Sequence, residues 1–200
     1  MTHILVDTAN TFFRARHVIR GNTSEKIGMA IHITMNSIKK AWADFDGSHL
    51  IFCLEGRSWR KDHYAAYKRN RKDAIEALTP QEKEENDVFW ECYDDFCKFI
   101  KEKTNATVLQ NPRVEADDLI ARWIDKHPDQ KHVILSTDKD LNQLVNEKVK
   151  QYNGVTEQTI THEGWFDKKG NPVLDKKTKL AKGAPNIEWI IFEKAMRGDP

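Results

Sequence analysis

The chain has 200 residues, 32 Lys plus Arg against 31 Asp plus Glu and a formal charge of +1, so net charge points to no class of partner and only its distribution can. That length is one domain's worth, and 39% hydrophobic residues suffice for one core. The longest uninterrupted apolar stretch, residues 50–54, is far short of the ~18 needed to span a bilayer. Three cysteines and an opening with no charged lead give no expectation of a disulfide scaffold or a secretory leader, and a reducing cytoplasm is the expected setting.

Residues 3–7 read as a short buried strand ending in Asp7. Ser24 opens a helical pattern through Ile27, Ala30, Ile31, Met35, Ile38 and Trp42, at spacings of three and four. Residues 49–54 predict a strand buried on both faces that delivers Glu55. The next block, residues 57–72, carries Arg57, Arg60, Lys61, Lys68, Arg69, Arg71 and Lys72 against Asp62 alone, with Trp59, Tyr64 and Tyr67 interleaved. Cations for phosphates and rings for bases are what a nucleic-acid strand requires, and a solvated face is the alternative. Such a dense run of like charge predicts little fixed structure before a ligand arrives.

Thr79-Pro80-Gln81-Glu82 is a helix start with a cap, a proline at the first position and an acid three residues on. The helix it opens is acidic and runs through Phe89, Trp90, Tyr93, Phe96 and Ile100. A third strand over 106–110, a helix over 114–126, a fourth strand over 132–136, a short helix over 141–145 and a fifth strand over 149–152 follow. Six lysines between 168 and 182, with Gly170 and Pro172, read as a basic loop, and Ile190 and Ile191 lead through Met196 to Asp199.

Strands alternating with helices predict an α/β fold, an open and mainly parallel sheet flanked by helices. Ligands bind such sheets beyond the carboxyl ends of the strands, where Asp7, Glu55, Glu115, Asp117, Asp118, Asp138 and Asp140 all fall. Singly each is a helix cap. Together, like charges that close require a cation among them. Hard oxygen ligands select Mg²⁺ or Mn²⁺, and this many acids suit two ions, which clamp the attacking and leaving oxygens of a phosphodiester. Competing chemistries lack their residues: no glycine-rich phosphate loop follows a strand, position 9 is Ala where an aspartyl-phosphate enzyme needs an acid, and no paired histidines occur. Cys53 lies inside an apolar strand and reads as core.

Five pieces in one order carry a resemblance: Leu5-Val6-Asp7-Thr8-Ala9-Asn10; Trp59-Arg60-Lys61 with Tyr67-Lys68-Arg69-Asn70-Arg71; Val114-Glu115-Ala116-Asp117-Asp118; Ser136-Thr137-Asp138-Lys139-Asp140-Leu141 with Gln143-Leu144; and Arg197-Gly198-Asp199. The chain resembles the flap endonuclease or 5′-nuclease superfamily, which includes phage 5′ to 3′ exonucleases, the phage ribonuclease H type and the 5′-nuclease domain of DNA polymerase I, and the phage branch most. The resemblance implies one 5′-nuclease catalytic domain over 1–200, with an arch-like insertion at about 56–79. It would cut DNA at 5′ ends, nicks or flaps, and RNA primers on DNA are a further substrate. Glu115 and Asp117, with Asp7, Glu55 and Asp118 nearby, would serve a first metal, and Asp138, Asp140 and Asp199 a second. Lys68 and Arg71 resemble arch residues that steady the scissile phosphate, and Tyr67 the aromatic on which a terminal base stacks.

Two departures stand out. The second strand gives Glu55 where the family has Asp. The family motif also continues past Asp199 to a further Asp and to helical elements that grip duplex DNA. The expectation is a fragment of a longer protein, or a replication partner or other polypeptide that supplies this module. Two rivals remain: a family member that holds DNA without cutting, against which the retained acids speak, and a PIN-type ribonuclease, which shares the sheet but needs no long basic segment.

Overall fold

The computed structural model describes residues 1–16, 23–64 and 66–197. Strand β1 (Thr2–Asp7) leads through α1 (Thr8–Arg16) and α2 (Thr23–Asp44) to β2 (His49–Cys53). Two short helices, α3 (Arg60–His63) and α4 (Arg69–Glu76), precede the long α5 (Pro80–Lys103). There follow β3 (Thr107–Leu109), α6 (Ala116–Lys126), β4 (Lys131–Leu135), a 3-10 turn (Lys139–Leu144), β5 (Val149–Asn153), β6 (Gln158–Ile160), β7 (Trp165–Phe166) and α7 (Ile187–Arg197).

Among the described residues seven strands form one sheet in the order β3-β2-β1-β4-β5-β6-β7. The first five of these pair in parallel, as expected, and β6 and β7 extend the edge antiparallel. Strand order reverses between β1 and β4, which opens a crevice beyond their carboxyl ends. Period-two alternation splits the core between the two faces. Ile4, Val6, Phe52, Leu54, Val133 and Leu135 pack with α1, α2 and α5, while Leu5, Ile51, Cys53 and Ile134 pack with Ala116 and Ile120 of α6. Cys53 is thus core, as its strand predicts. At the opposite, amino-end rim, His49, His3 and His132 stand in register across β2, β1 and β4, with Trp123 of α6 and His127, which caps that helix, against them.

The capping box at Thr79 and Glu82 is present, Pro80 opens α5, and Phe89, Tyr93, Phe96 and Ile100 form its buried stripe. Several expectations need correction. Helix α1 was not foreseen: it follows β1 directly, Asp7 caps it by accepting from Asn10 N at 3.3 Å, and Phe12 is fully buried. Glu115 is the N-cap of α6 rather than a residue within it, and the short helix over 141–145 is a 3-10 turn over Lys139–Leu144. Residues 57–72, expected to lack fixed structure, contain α3 and the start of α4. Their base is stitched to the turn before α6, through Arg57 N to Pro112 O at 2.9 Å and Trp59 N to Arg113 O at 2.8 Å. Gly56 makes that close approach possible, since a Cβ there would stand 2.0 Å from Asn111 O.

Candidate metal and nucleic-acid site

A cleft of about 720 Å³ lies at the carboxyl-end rim. Asp7, Glu55, Glu115, Asp117 and Asp138 line it, together with Lys61, Lys68, Arg71, Asn10, Phe13 and Trp90. Four strand ends converge here because the parallel sheet points every carboxyl end the same way. Asp7 is buried where β1 stops and accepts from Ser136 Oγ at 2.8 Å. Burial first, then the neighbouring Glu55 and Asp138 charges, push its pKa up to about 7 against the Ser136 and Asn10 hydrogen bonds. Burial also raises Glu55, which accepts from Ala116 N at 3.2 Å, and raises Asp117, with Asp118 and Glu115 adding to the effect.

Glu115, 4% exposed, is saturated with donors. Ser58 Oγ (3.0 Å), Arg60 Nη1 (3.0 Å) and Tyr67 OH (2.9 Å) donate to Oε2, and Lys68 Nζ to Oε1. Burial works to raise its pKa, but the bonds from Lys68 and Tyr67 outweigh that and the net shift is downward. Lys68 reaches it from a left-handed backbone, φ 55°, at the N-cap of α4, a conformation a non-glycine residue adopts at a cost of ~1–3 kcal/mol. Arg60 forks onto Asp118, with Nη1 to Oδ2 at 2.9 Å and Nη2 to Oδ1 at 2.8 Å, and the guanidinium lowers that carboxyl.

Glu115, Asp117 and Asp118 form a triad whose ligand atoms lie within 4.8 Å of one another. Asp138 lines the cleft from the loop after β4 and accepts from Asp140 N at 2.9 Å. Asp140 is not among the lining residues and pairs with Lys194 of α7. Asp199 and the side chain of Lys72 fall outside the described residues. Of the basic segment, Lys61, Lys68 and Arg71 face the cleft; Arg57 pairs with Asp62 at 2.6 Å, and Arg69 is exposed away from the lining. Sequence reasoning assigned no role to Ser58, Ser136, Asn10 or Trp90. Lone polar residues and a lone aromatic carry no pattern of their own, although Asn10 and Ser136 stand inside quoted motifs.

The donor set fits a hard divalent cation. Every candidate ligand is a carboxylate, no His or Cys lines the cleft, and three of the acids are held at raised pKa by burial and mutual repulsion, as groups short of positive charge are.

Residues 2–170 match the family described as 5'-3' exonuclease, N-terminal resolvase-like domain. The chain belongs to this family. Among curated members it is 31% identical over 152 residues to flap endonuclease Xni of Aeromonas hydrophila, covering 72% of this chain and 52% of the relative. It is 29% identical over 206 residues to DNA polymerase I of Rhizobium leguminosarum, covering 93% of this chain and 19% of the polymerase. To the flap endonuclease of Escherichia phage T5 it is 25% identical over 201 residues, covering 98% and 62% respectively. The chain therefore spans about half the length of that Xni protein and about a fifth of the polymerase. The fold is that of the T5 D15 protein co-crystallised with metal ions, with TM-score 0.72 and 23% identity over 100% of this chain and 66% of that one. A complex of the T5 flap endonuclease with DNA and metal ions has the same fold, at TM-score 0.64 and 22% identity over 80% of this chain and 58% of that one. Among the described residues no helix is long and apolar enough to cross a membrane.

Proposed function

We propose that this member of the 5'-3' exonuclease family is a two-metal phosphodiester hydrolase that cuts DNA at 5′ ends, nicks or flaps. What supports this most is the meeting in one cleft of five carboxylates from four strand ends with the cations Lys61, Lys68 and Arg71. Glu115 and Asp117, with Asp7 and Glu55, would hold one cation, and Asp138 belongs with Asp140 and Asp199 in the proposed second set. When bound, Mg²⁺ or Mn²⁺ supplies Lewis acidity, lowering the pKa of coordinated water and countering charge on the phosphate oxygens. The chain's own groups do the rest. Ser136 and the α1 amide of Asn10 orient Asp7, and the Ala116 amide orients Glu55. Lys61 and Arg71 are placed to receive the strand's phosphates beside the acids.

The complex of the T5 flap endonuclease with DNA supports DNA as the substrate. A DNA-binding protein without activity would gain from losing the acidic rim, which repels phosphate. The deciding experiment incubates labelled flap, nicked and single-stranded DNA, and RNA in parallel, with Mg²⁺, Mn²⁺ or Ca²⁺. Cleavage of DNA with the first two metals is expected, and Asp117→Asn or Asp138→Asn should abolish it while leaving most DNA binding. Activity within a few-fold of the parent in either variant defeats the metal assignment, and preferential cutting of RNA returns the PIN-type ribonuclease.

A further inference from the structure

We infer that Trp90, on α5, is the platform on which an unpaired base of the bound DNA strand stacks. This rests on the nuclease proposal and assigns a base-stacking residue to that same site. Trp90 is 41% exposed, a large fraction for the largest apolar side chain, and it lines the acidic cleft. It also lines an adjoining hollow of about 450 Å³, shared with Glu55, Tyr93, Lys98 and Lys101. The indole and Glu55 therefore form the ridge between the two spaces.

The ridge is held in place. Phe13 packs against the indole at a ring separation of 4.3 Å, and Tyr93 meets it edge-on at 5.7 Å. A rigid aromatic surface gains more from stacking than a mobile one because less freedom is lost. In the cleft Lys61 and Arg71 offer phosphate partners to a strand that reaches the indole, whereas in the hollow Lys98 and Lys101 are offset by Asp94 and Glu102, so the strand's phosphates are held on the cleft side. Tyr67, the aromatic that the family resemblance offers for stacking, is already engaged: its hydroxyl donates to Glu115, and the Lys68 ammonium lies 5.3 Å from its ring centroid. A core role explains the contacts with Phe13 and Tyr93 but not why the indole remains exposed where the two cavities meet.

The test uses 5′-phosphorylated single-stranded DNA with 2-aminopurine at one of its first positions, and the same strand with an abasic site there, with Ca²⁺ in place of Mg²⁺ to limit cutting. Trp90→Leu keeps apolar bulk over Phe13 and removes the π face, whereas Trp90→Phe keeps a smaller one. At one position along the strand, the parent should quench 2-aminopurine. Trp90→Leu should lose the quenching and bind about 5- to 150-fold more weakly, with Trp90→Phe in between. The abasic strand should bind the parent equally weakly and lose nothing further in Trp90→Leu. Parent-like binding by Trp90→Leu, equal losses in Leu and Phe variants, or an abasic penalty that persists in Trp90→Leu each overturns the stacking assignment alone. Failure of the parent to bind any DNA overturns the nuclease proposal and this inference with it.

Discussion

Asp7 serves three purposes from one strand end: it caps α1, accepts from Ser136 and presents a buried carboxylate to the cleft. Its pKa in the fold, about 7, lies above the ordinary 3.8, so the folded chain keeps a proton that the unfolded chain releases between those values. Native stability therefore falls as pH rises through that window, by at most ~1.4 kcal/mol per pH unit. Asp7→Asn removes the buried charge, and in metal-free buffer its melting temperature should exceed the parent's by several degrees at pH 8 and by less at pH 5, at ~2–4 °C per kcal/mol. A lower melting temperature at pH 8 would show that the hydrogen bonds outweigh the charge. The positions of Asp7, Glu55, Asp117 and Asp138 were legible in the sequence because each follows a strand of a parallel sheet, and topology alone brings such positions together. What each charge faces was not legible. Arg60 is composed like a phosphate contact and is folded onto Asp118 and Glu115, so Arg71→Ala should flatten the log affinity against log salt slope for DNA by ~0.7 to 0.9, and Arg60→Ala should leave the slope unchanged while lowering the Mg²⁺ concentration that cleavage needs. Equal slopes for both variants would return Arg60 to the phosphates.

Among the elements, α5 was the most legible, because its start is written in side-chain chemistry. Thr79 accepts from Glu82 N at 3.3 Å, and Glu82 accepts in return from Thr79 N at 2.8 Å. Thr79→Ala should cost ~0.5–2 kcal/mol in urea unfolding with an unchanged slope, and a change below 0.2 kcal/mol would mean that the tertiary packing of Phe89 and Phe96 holds the helix end unaided. Helix α7, with 11 residues, escaped notice because only Ile190, Ile191 and Met196 were read there, and the other missed elements are shorter. Strands β6 and β7 have three and two residues, too few for a period to show, and only Asn153-Gly154 marks the turn between β5 and β6, where Asn153 Oδ1 accepts from Val155 N and Thr156 N. Helix α1 escaped because its polar residues Thr8, Asn10, Thr11 and Arg14 dilute the spacing of Ala9, Phe12 and Phe13.

Across the whole molecule the sheet carries acids at one rim and imidazoles at the other, and the two ends respond to pH in opposite senses. Burial first, then His132, His127, His49 and the amino terminus, lower His3 from 6.5 to about 4, and Trp123 Nε1 donates to its Nδ1 at 3.0 Å. The unfolded chain takes up a proton in that window that the folded chain refuses, so stability is lost as pH falls through it. Run in the Asp7→Asn background, which removes the opposing trend, urea midpoints should drop between pH 7 and pH 5, and His3→Gln should flatten the drop; parallel slopes would place the sensitivity elsewhere. The basic segment converges most heavily on one carboxylate, Glu115. An ionised carboxyl group has about two lone-pair positions on each oxygen; Ser58, Arg60 and Tyr67 crowd Oε2 of Glu115, and Lys68 holds Oε1. A cation ligated through Glu115 then competes for its charge with Lys68 and Arg60 of the segment between β2 and α5. Two occupancies that compete for one group are linked, and whatever factor the seated segment takes from cation affinity, the cation takes from the seating of the segment.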